Sequence, residues 1–187
     1  MSLDQWALYY RARLLLLFNR RESAVEALLA ALRLNPDFAR ASSFLGYAYG
    51  ALGQDALAVR AFREALRVTP NDAVTLFDLG FILHRQKQLR EAVDAFEQAV
   101  ALKPNIDRAW FGLGLARAEL GEHAKAAEAL GHAAELQPMN PHAWYNLGMA
   151  HWTLGDRERL EATIAHLDRF DPRMALRLTK ETSAPHP

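Results

Sequence analysis

The chain has 187 residues, 51% of them apolar and 24% charged; this is enough for one domain with a packed core and argues against disorder. Its 22 basic and 22 acidic residues cancel, so it lacks the positive field of a general nucleic-acid binder. With no cysteine, disulfide scaffolds, thiolate metal sites and cysteine nucleophiles are excluded, and a reducing cytoplasm is the expected setting. The apolar run Leu14–Phe18 is too short to span a bilayer. Arg20, Arg21 and Glu22 stand after it where a secretory signal needs small residues, so neither membrane insertion nor a cleaved leader is expected.

Along the chain the pattern repeats. Pro36, Pro70, Pro104, Pro138 and Pro172 are each 34 residues apart. Leu45, Leu79, Leu113 and Leu147 keep the same step, as do Gly46, Gly80, Gly114 and Gly148, with Ala12 in that place at the start. Two alanine columns follow, Ala24/Ala58/Ala92/Ala126 and Ala31/Ala65/Ala99/Ala133. The period divides the chain into five units, 5–38, 39–72, 73–106, 107–140 and 141–174. Each unit reads as two helices. In the third, Leu76, Leu79, Gly80 and Leu83 sit at helical spacing, a break follows at Lys87-Gln88, and Ala92, Phe96, Ala99 and Val100 resume it.

The punctuation has a physical reason. Gly53, Gly121 and Gly155 end first helices, where a residue without Cβ takes positive φ at little cost. Asn19 serves in the first unit, and Lys87 predicts strain or a different turn in the third. Pro70-Asn71-Asp72 stops one helix and caps the next, and Asn140-Pro141 is a cap followed by proline at the first helical position. The small columns let the helices of one hairpin approach closely, as Gly46 and Ala58 would, while Tyr49 and Phe62 fill the space around them.

A helix–turn–helix unit of 34 residues with Trp110, Leu113, Gly114, Ala126, Leu130, Ala133 and Pro138 resembles the tetratricopeptide repeat (TPR). The second unit matches with Leu45, Gly46, Tyr49, Ala58, Phe62, Ala65 and Pro70. The resemblance implies an all-α fold, a TPR-type α-α superhelix, that is, a right-handed solenoid of hairpins forming a single domain over residues 1–187. The first unit departs from the pattern at Arg11, and the fifth at Leu160, Ile164 and Leu167; terminal repeats are expected to differ, having one neighbour each. Residues 175–187 form a capping segment and tail, with a short helix expected over 173–181 and a frayed tail from Ala184 to Pro187. The pentatricopeptide arrays that read RNA run at about 35 residues and lack these columns; neutral charge counts against them as well.

No pattern for chemistry survives. None of the seven histidines pairs with another at i,i+3 or i,i+4, so no metal is expected. His142 and His151 lie nine apart, on opposite sides of a helix. Gly112-x-Gly114 runs into Leu115, Ala116 and Arg117, so the dinucleotide fingerprint is incomplete. Glu64, Asp94, Glu97 and Glu128 fall at solvent positions of second helices. The chain is therefore expected to be no enzyme and to hold no cofactor.

The family resemblance further implies that the first helices line a concave groove with positions 2, 5, 9, 12 and 13 of each unit. On that basis the candidate ligand residues are Tyr9, Arg13, Arg40, Tyr47, Phe77, Phe81, Arg85, Arg108, Phe111, Leu115, Tyr145, Met149 and Trp152. Neither the carboxylate clamp nor an asparagine ladder is present, since position 6 reads Tyr10, Phe44, Asp78, Gly112, Asn146. The expected partner is a protein or peptide segment with apolar anchors and acidic residues, bound by a non-catalytic module with an assembly or scaffold role. The alternatives are a self-associating structural TPR protein, with Trp6, Leu16 and Leu17 on its first helix, or the TPR part of a larger complex or enzyme. Arginine outnumbers lysine 18 to 4, a composition expected of a GC-rich bacterial genome.

Overall fold

A computed structural model describes residues 3–183, and the tail expected at 184–187 lies outside them. The described residues contain helices and turns and no strand. Eleven helices follow one another: α1 (Leu3–Leu17), α2 (Arg21–Leu34), α3 (Ala39–Ala51), α4 (Asp55–Val68), α5 (Ala73–Arg85), α6 (Leu89–Leu102), α7 (Asp107–Glu119), α8 (His123–Leu136), α9 (Pro141–Thr153), α10 (Arg157–Asp168) and α11 (Pro172–Thr182). They group into two compact units, residues 1–88 with α1–α5 and residues 89–187 with α6–α11.

In the first unit α1 packs on α2 and α3 on α4 as hairpins, and each second helix also packs on the next first helix. The second unit repeats this with α7 on α8 and α9 on α10. Close approach is built into the glycine column. A Cβ on Gly46 would stand 2.6 Å from the Phe62 ring, and one on Gly114 would stand 2.5 Å from Leu130 Cγ. These contacts are too short for any side chain, so the glycines set the spacing of the two helices. Phe62 and Leu130 are each 1% exposed, and the burial of such side chains contributes roughly 1.5–3 kcal/mol apiece.

The same logic acts between neighbouring hairpins. Gly112 meets the Phe96 ring, 2.6 Å from where its Cβ would be. Both glycines of the Gly112-x-Gly114 run are thus packing positions. In the last repeat Gly148 faces Leu178 of α11, 2.4 Å from its would-be Cβ. The short helix expected over 173–181 is α11, and its N-cap Asp171 accepts a bond from the Met174 amide at 3.0 Å.

Five helix–helix turns share one conformation. Asn19, Gly53, Lys87, Gly121 and Gly155, again 34 apart, all have positive φ, between 59° and 79°. Lys87 therefore keeps the turn of its glycine counterparts and carries the strain. The N-caps are those read from sequence: Asp72 accepts from the amides of Val74 and Thr75 at 3.1 and 3.4 Å, and Asn140 accepts from that of His142 at 3.1 Å. Trp110 and Trp144 add a repeat-specific lock, their indole N–H groups donating to the Pro104 and Pro138 carbonyls at 2.8 and 2.9 Å.

Two stability measurements follow. Lys87→Gly relieves a left-handed conformation and should stabilise by about 0.5–1 kcal/mol in urea unfolding. Gly46→Ala should destabilise by about 1–3 kcal/mol, because the added methyl must displace Phe62; an unchanged midpoint would mean that the hairpin is not spaced by this contact.

Candidate functional site

Which surfaces remain for a partner is decided by how the packing uses each first helix. Positions 3 and 10 of repeats two to five are Ala41/Ala48, Thr75/Ile82, Ala109/Ala116 and Ala143/Ala150, all buried, with Thr75 bonded to Ser43 and Ile82 set against Gly50 of α3. Positions 2 and 9 turn the other way.

In the unit of residues 1–88, α1 touches α3 and α3 touches α5. Tyr47 is 56% exposed and Phe81, one repeat later, is 51% exposed. Arg13 and Arg40 are exposed as well, and Phe77 is half-buried. A hydroxyl–hydroxyl bond of 2.8 Å between Ser43 and Thr75 ties α3 to α5 beneath these side chains. Thr75 is fully buried and donates on to Asp72 at 2.8 Å, so the two helices are held in register.

Tyr9 does not belong to this surface. It is 5% exposed and lies among Trp6, Phe38 and Phe44, with ring centroids 5.3–5.8 Å apart. Burial raises the pKa of its hydroxyl, against the opposing fields of Arg13 and Arg40. The cations nearby are stacked: Arg13 stands 5.7 Å from the Phe44 ring and 5.8 Å from that of Tyr10, and Arg40 stands 5.7 Å from Trp6. Guanidinium groups over aromatic faces keep their charge and their donors available to a carboxylate.

Arg85 is also spoken for. Its Nε donates to Asp55 at 2.8 Å, a second nitrogen bonds the other Asp55 oxygen, and the Gly50 carbonyl accepts at 3.0 Å. It bridges α5 to the α3–α4 turn while its guanidinium lies 5.8 Å from the Phe81 ring. A bidentate carboxylate pair of this kind leaves little to offer a ligand.

In the unit of residues 89–187 the arrangement differs. Arg108 is exposed and Leu115 half-buried. Phe111 packs with Trp110 and Trp144 against Leu130, Ala134 and Leu147. The last repeat's Tyr145, Met149 and Trp152 pack with Leu160, Leu167, Ala175 and Leu178. The Tyr145 hydroxyl donates to Glu181 of α11, and Arg177 stands 4.9 Å from its ring. Thus α11 occupies the side of α9 on which these three candidates lie, for the simple reason that the apolar face of this amphipathic helix must be buried.

A second depression, read by no motif, lies between α8, α9 and the start of α10. It encloses about 460 Å³ and is lined by Ala127, Glu128, Gly131, Leu147, His151 and Arg159 among others. His151 is 7% exposed, and its Nδ1 has no hydrogen-bond partner among the described residues. Burial lowers its pKa, opposed by Asp156 and assisted by Arg159. His132 and His166, 34 apart, instead stack on Trp110 and Trp144 at 4.5 and 4.0 Å. Among the described residues no group of His, Asp and Glu is placed to hold a metal. No helix there is long and apolar enough to cross a membrane.

His151 makes stability depend on pH. With its folded pKa below the unfolded value of about 6.5, the unfolded chain takes up the proton first. Stability is full above that value and falls as pH drops through it towards the folded pKa. The melting temperature should decline between pH 7.5 and 5.5, and His151→Leu should flatten that decline; an unchanged slope would show that His151 charges freely in the folded state.

Comparison with known proteins agrees with this architecture. Tetratricopeptide repeat families match residues 37–105, 77–135 and 141–173, and a TPR repeat family matches 116–155. No curated protein matches the chain in sequence. Among solved structures, YrrB, described as a TPR protein with an unusual peptide-binding site, is 26% identical, with a TM-score of 0.82 over 92% of this chain and 90% of its own. MamA 41-end from Desulfovibrio magneticus RS-1 is 23% identical, with a TM-score of 0.82 over 98% and 99%. Pseudomonas aeruginosa pilF is 21% identical, with a TM-score of 0.79 over 96% and 85%. The repeat period, the hairpin packing and these matches together place the chain in the tetratricopeptide repeat family.

Proposed function

We propose that this chain is a non-catalytic protein-interaction module that binds an extended or helical segment of a partner on the first-helix face of residues 1–88. The observation that carries the reading is the pair Tyr47 and Phe81, both over half exposed at the same position of successive repeats. Large aromatics left open on a rigid scaffold are the usual anchors of an interface. Arg13 and Arg40 lie on the same helices and favour a segment that mixes acidic residues with apolar ones. The likeness to YrrB, a protein described by its peptide-binding site, supports peptide binding in general. It does not identify the residues. An assembly or scaffold role in the cytoplasm is the setting that suits such a module.

Relative to the thirteen residues read from the repeat positions, the proposed face is smaller. It keeps Arg13, Arg40, Tyr47, Phe77 and Phe81. It leaves out Tyr9 and Arg85, which serve the core and an internal ion pair, Tyr145, Met149 and Trp152, which α11 engages, and Arg108, Phe111 and Leu115, which lie in the unit of residues 89–187.

A peptide library displayed on phage and selected on the whole chain supplies a ligand, and calorimetric titration of the selected peptides tests the site. Acidic residues spaced between apolar ones should be enriched. Phe81→Ala should weaken binding by about 1–3 kcal/mol, and Arg40→Glu should slow association and reduce its dependence on salt. If both variants stay folded and bind as the parent does, the face is not the site.

A further inference from the structure

The first helix carries a second surface that the peptide-binding reading does not use. Leu3, Ala7, Tyr10, Leu14 and Leu17 are all exposed on α1, and Phe18 follows them. Leu3 is 87%, Leu14 59% and Leu17 78% exposed. Their spacing alternates four and three residues, the period of a coiled-coil seam. The opposite side of α1 buries Gln5, Tyr9 and Ala12 in the hairpin, so the helix carries a second apolar stripe, flanked by the exposed Asp4, Arg11 and Arg13.

The equivalent side of the later first helices shows what contact this is not. Where α1 has Leu14 and Leu17, α3 has Ala48 and Ala51 against the second helix before it, and α7 has Ala116 at the first of these positions. Small residues permit the short separation of stacked repeats. At the same place in α5 the buried Ile82 is accommodated by Gly50 of α3, whereas Leu14 and Leu17 stay exposed and suit the wider spacing of helices that interdigitate large side chains.

We infer that the α1 stripe pairs with the α1 stripe of a second copy, antiparallel about a two-fold axis near Tyr10. The stripe is self-complementary only in that sense. Antiparallel pairing sets Ala7 against Leu14 of the other copy, Leu3 against Leu17, and Tyr10 against its own equivalent. Parallel pairing sets Ala7 against Ala7 and Leu14 against Leu14, leaving a void beside a bulge. A two-fold axis also uses one patch twice, as closed dimers do. Complete burial of the exposed parts of Leu3, Tyr10, Leu14, Leu17 and Phe18 would remove at most roughly 700 Å² per copy, below the ~800 Å² per partner of a standard interface. Arg13 borders this stripe, 5.8 Å from the Tyr10 ring, while Tyr47 and Phe81 lie on α3 and α5, so the pairing and the peptide-binding face are tested by separate variants.

Sedimentation equilibrium of the whole chain between about 1 and 100 µM tests the association. The expected mass is that of two chains, and Leu14→Glu combined with Leu17→Glu should weaken the dimer at least 100-fold with the helical circular dichroism kept. Because the chain has no cysteine, single cysteines read the register. Oxidised Tyr10→Cys should form a disulfide dimer. Leu3→Cys should not, since each copy lies about 10 Å from the axis along its helix, beyond disulfide reach. A mixture of Leu3→Cys and Leu17→Cys chains should cross-link. A monomer at 100 µM, a dimer indifferent to the glutamates, or self-linking of Leu3→Cys would each overturn the proposal.

Discussion

The close approach of the two helices of a hairpin is the constraint on which the rest depends. Gly46 under Phe62 and Gly114 under Leu130 leave no room for a Cβ, so the first helix can present only one narrow side to its partner. Once that side is fixed, helical geometry assigns the others. Positions 3 and 10 turn into the stack and are buried, with alanine at most of them and Thr75 and Ile82 in the third repeat. Positions 2 and 9 are left exposed in the middle of the first unit, at Arg40, Tyr47, Val74 and Phe81, whereas Trp6 and Met149 pack on core clusters. On the proposed reading a partner uses what packing does not claim, which is why Tyr47 and Phe81, each over half exposed, are its anchors.

The first and last repeats show the same rule under different boundary conditions. At the last repeat α11 takes the place of a further hairpin, with Leu178 against Gly148 and with Arg173, Arg177 and Lys180 turned outward. Its exposed side is mostly polar, and Tyr145, Met149 and Trp152 pack on the cluster it completes with Ala175 and Leu178. At the first repeat there is no such helix among the described residues, and α1 leaves a stripe of Leu3, Tyr10, Leu14 and Leu17 exposed between Asp4, Arg11 and Arg13. A capping helix lowers exposed apolar area; α1 raises it. That difference in chemistry between α1 and α11 is what separates a surface built to stay in water from one built to be covered.

The repeat, the hairpins, the turn glycines and the caps at Asp72 and Asn140 were legible in the sequence because each is a local rule written at a fixed step. The strain at Lys87 was legible for the same reason, though the turn itself proved to be the ordinary one, with φ of 61°. The stacking of His132 on Trp110 and His166 on Trp144 also carries the 34-residue step and was available to be read. The residues misplaced on the groove were those whose partners lie off the columns. Tyr9 is buried by Phe38 and Phe44, neither of which recurs. Arg85 meets Asp55 thirty residues away, a pair found in one repeat alone. The burial of His151, finally, depends on the packing of three helices, which no spacing along one helix encodes.

The most direct test of the account is to watch where a ligand lands. Amide and aromatic-ring resonances of the whole chain, followed as a selected peptide is added, report contact residue by residue. The packing argument predicts that the shifts centre on Arg40, Tyr47, Phe77 and Phe81, with Tyr145, Met149 and Trp152 unmoved. Shifts centred instead on the outer faces of α2 and α4, or on the depression around His151, would contradict it.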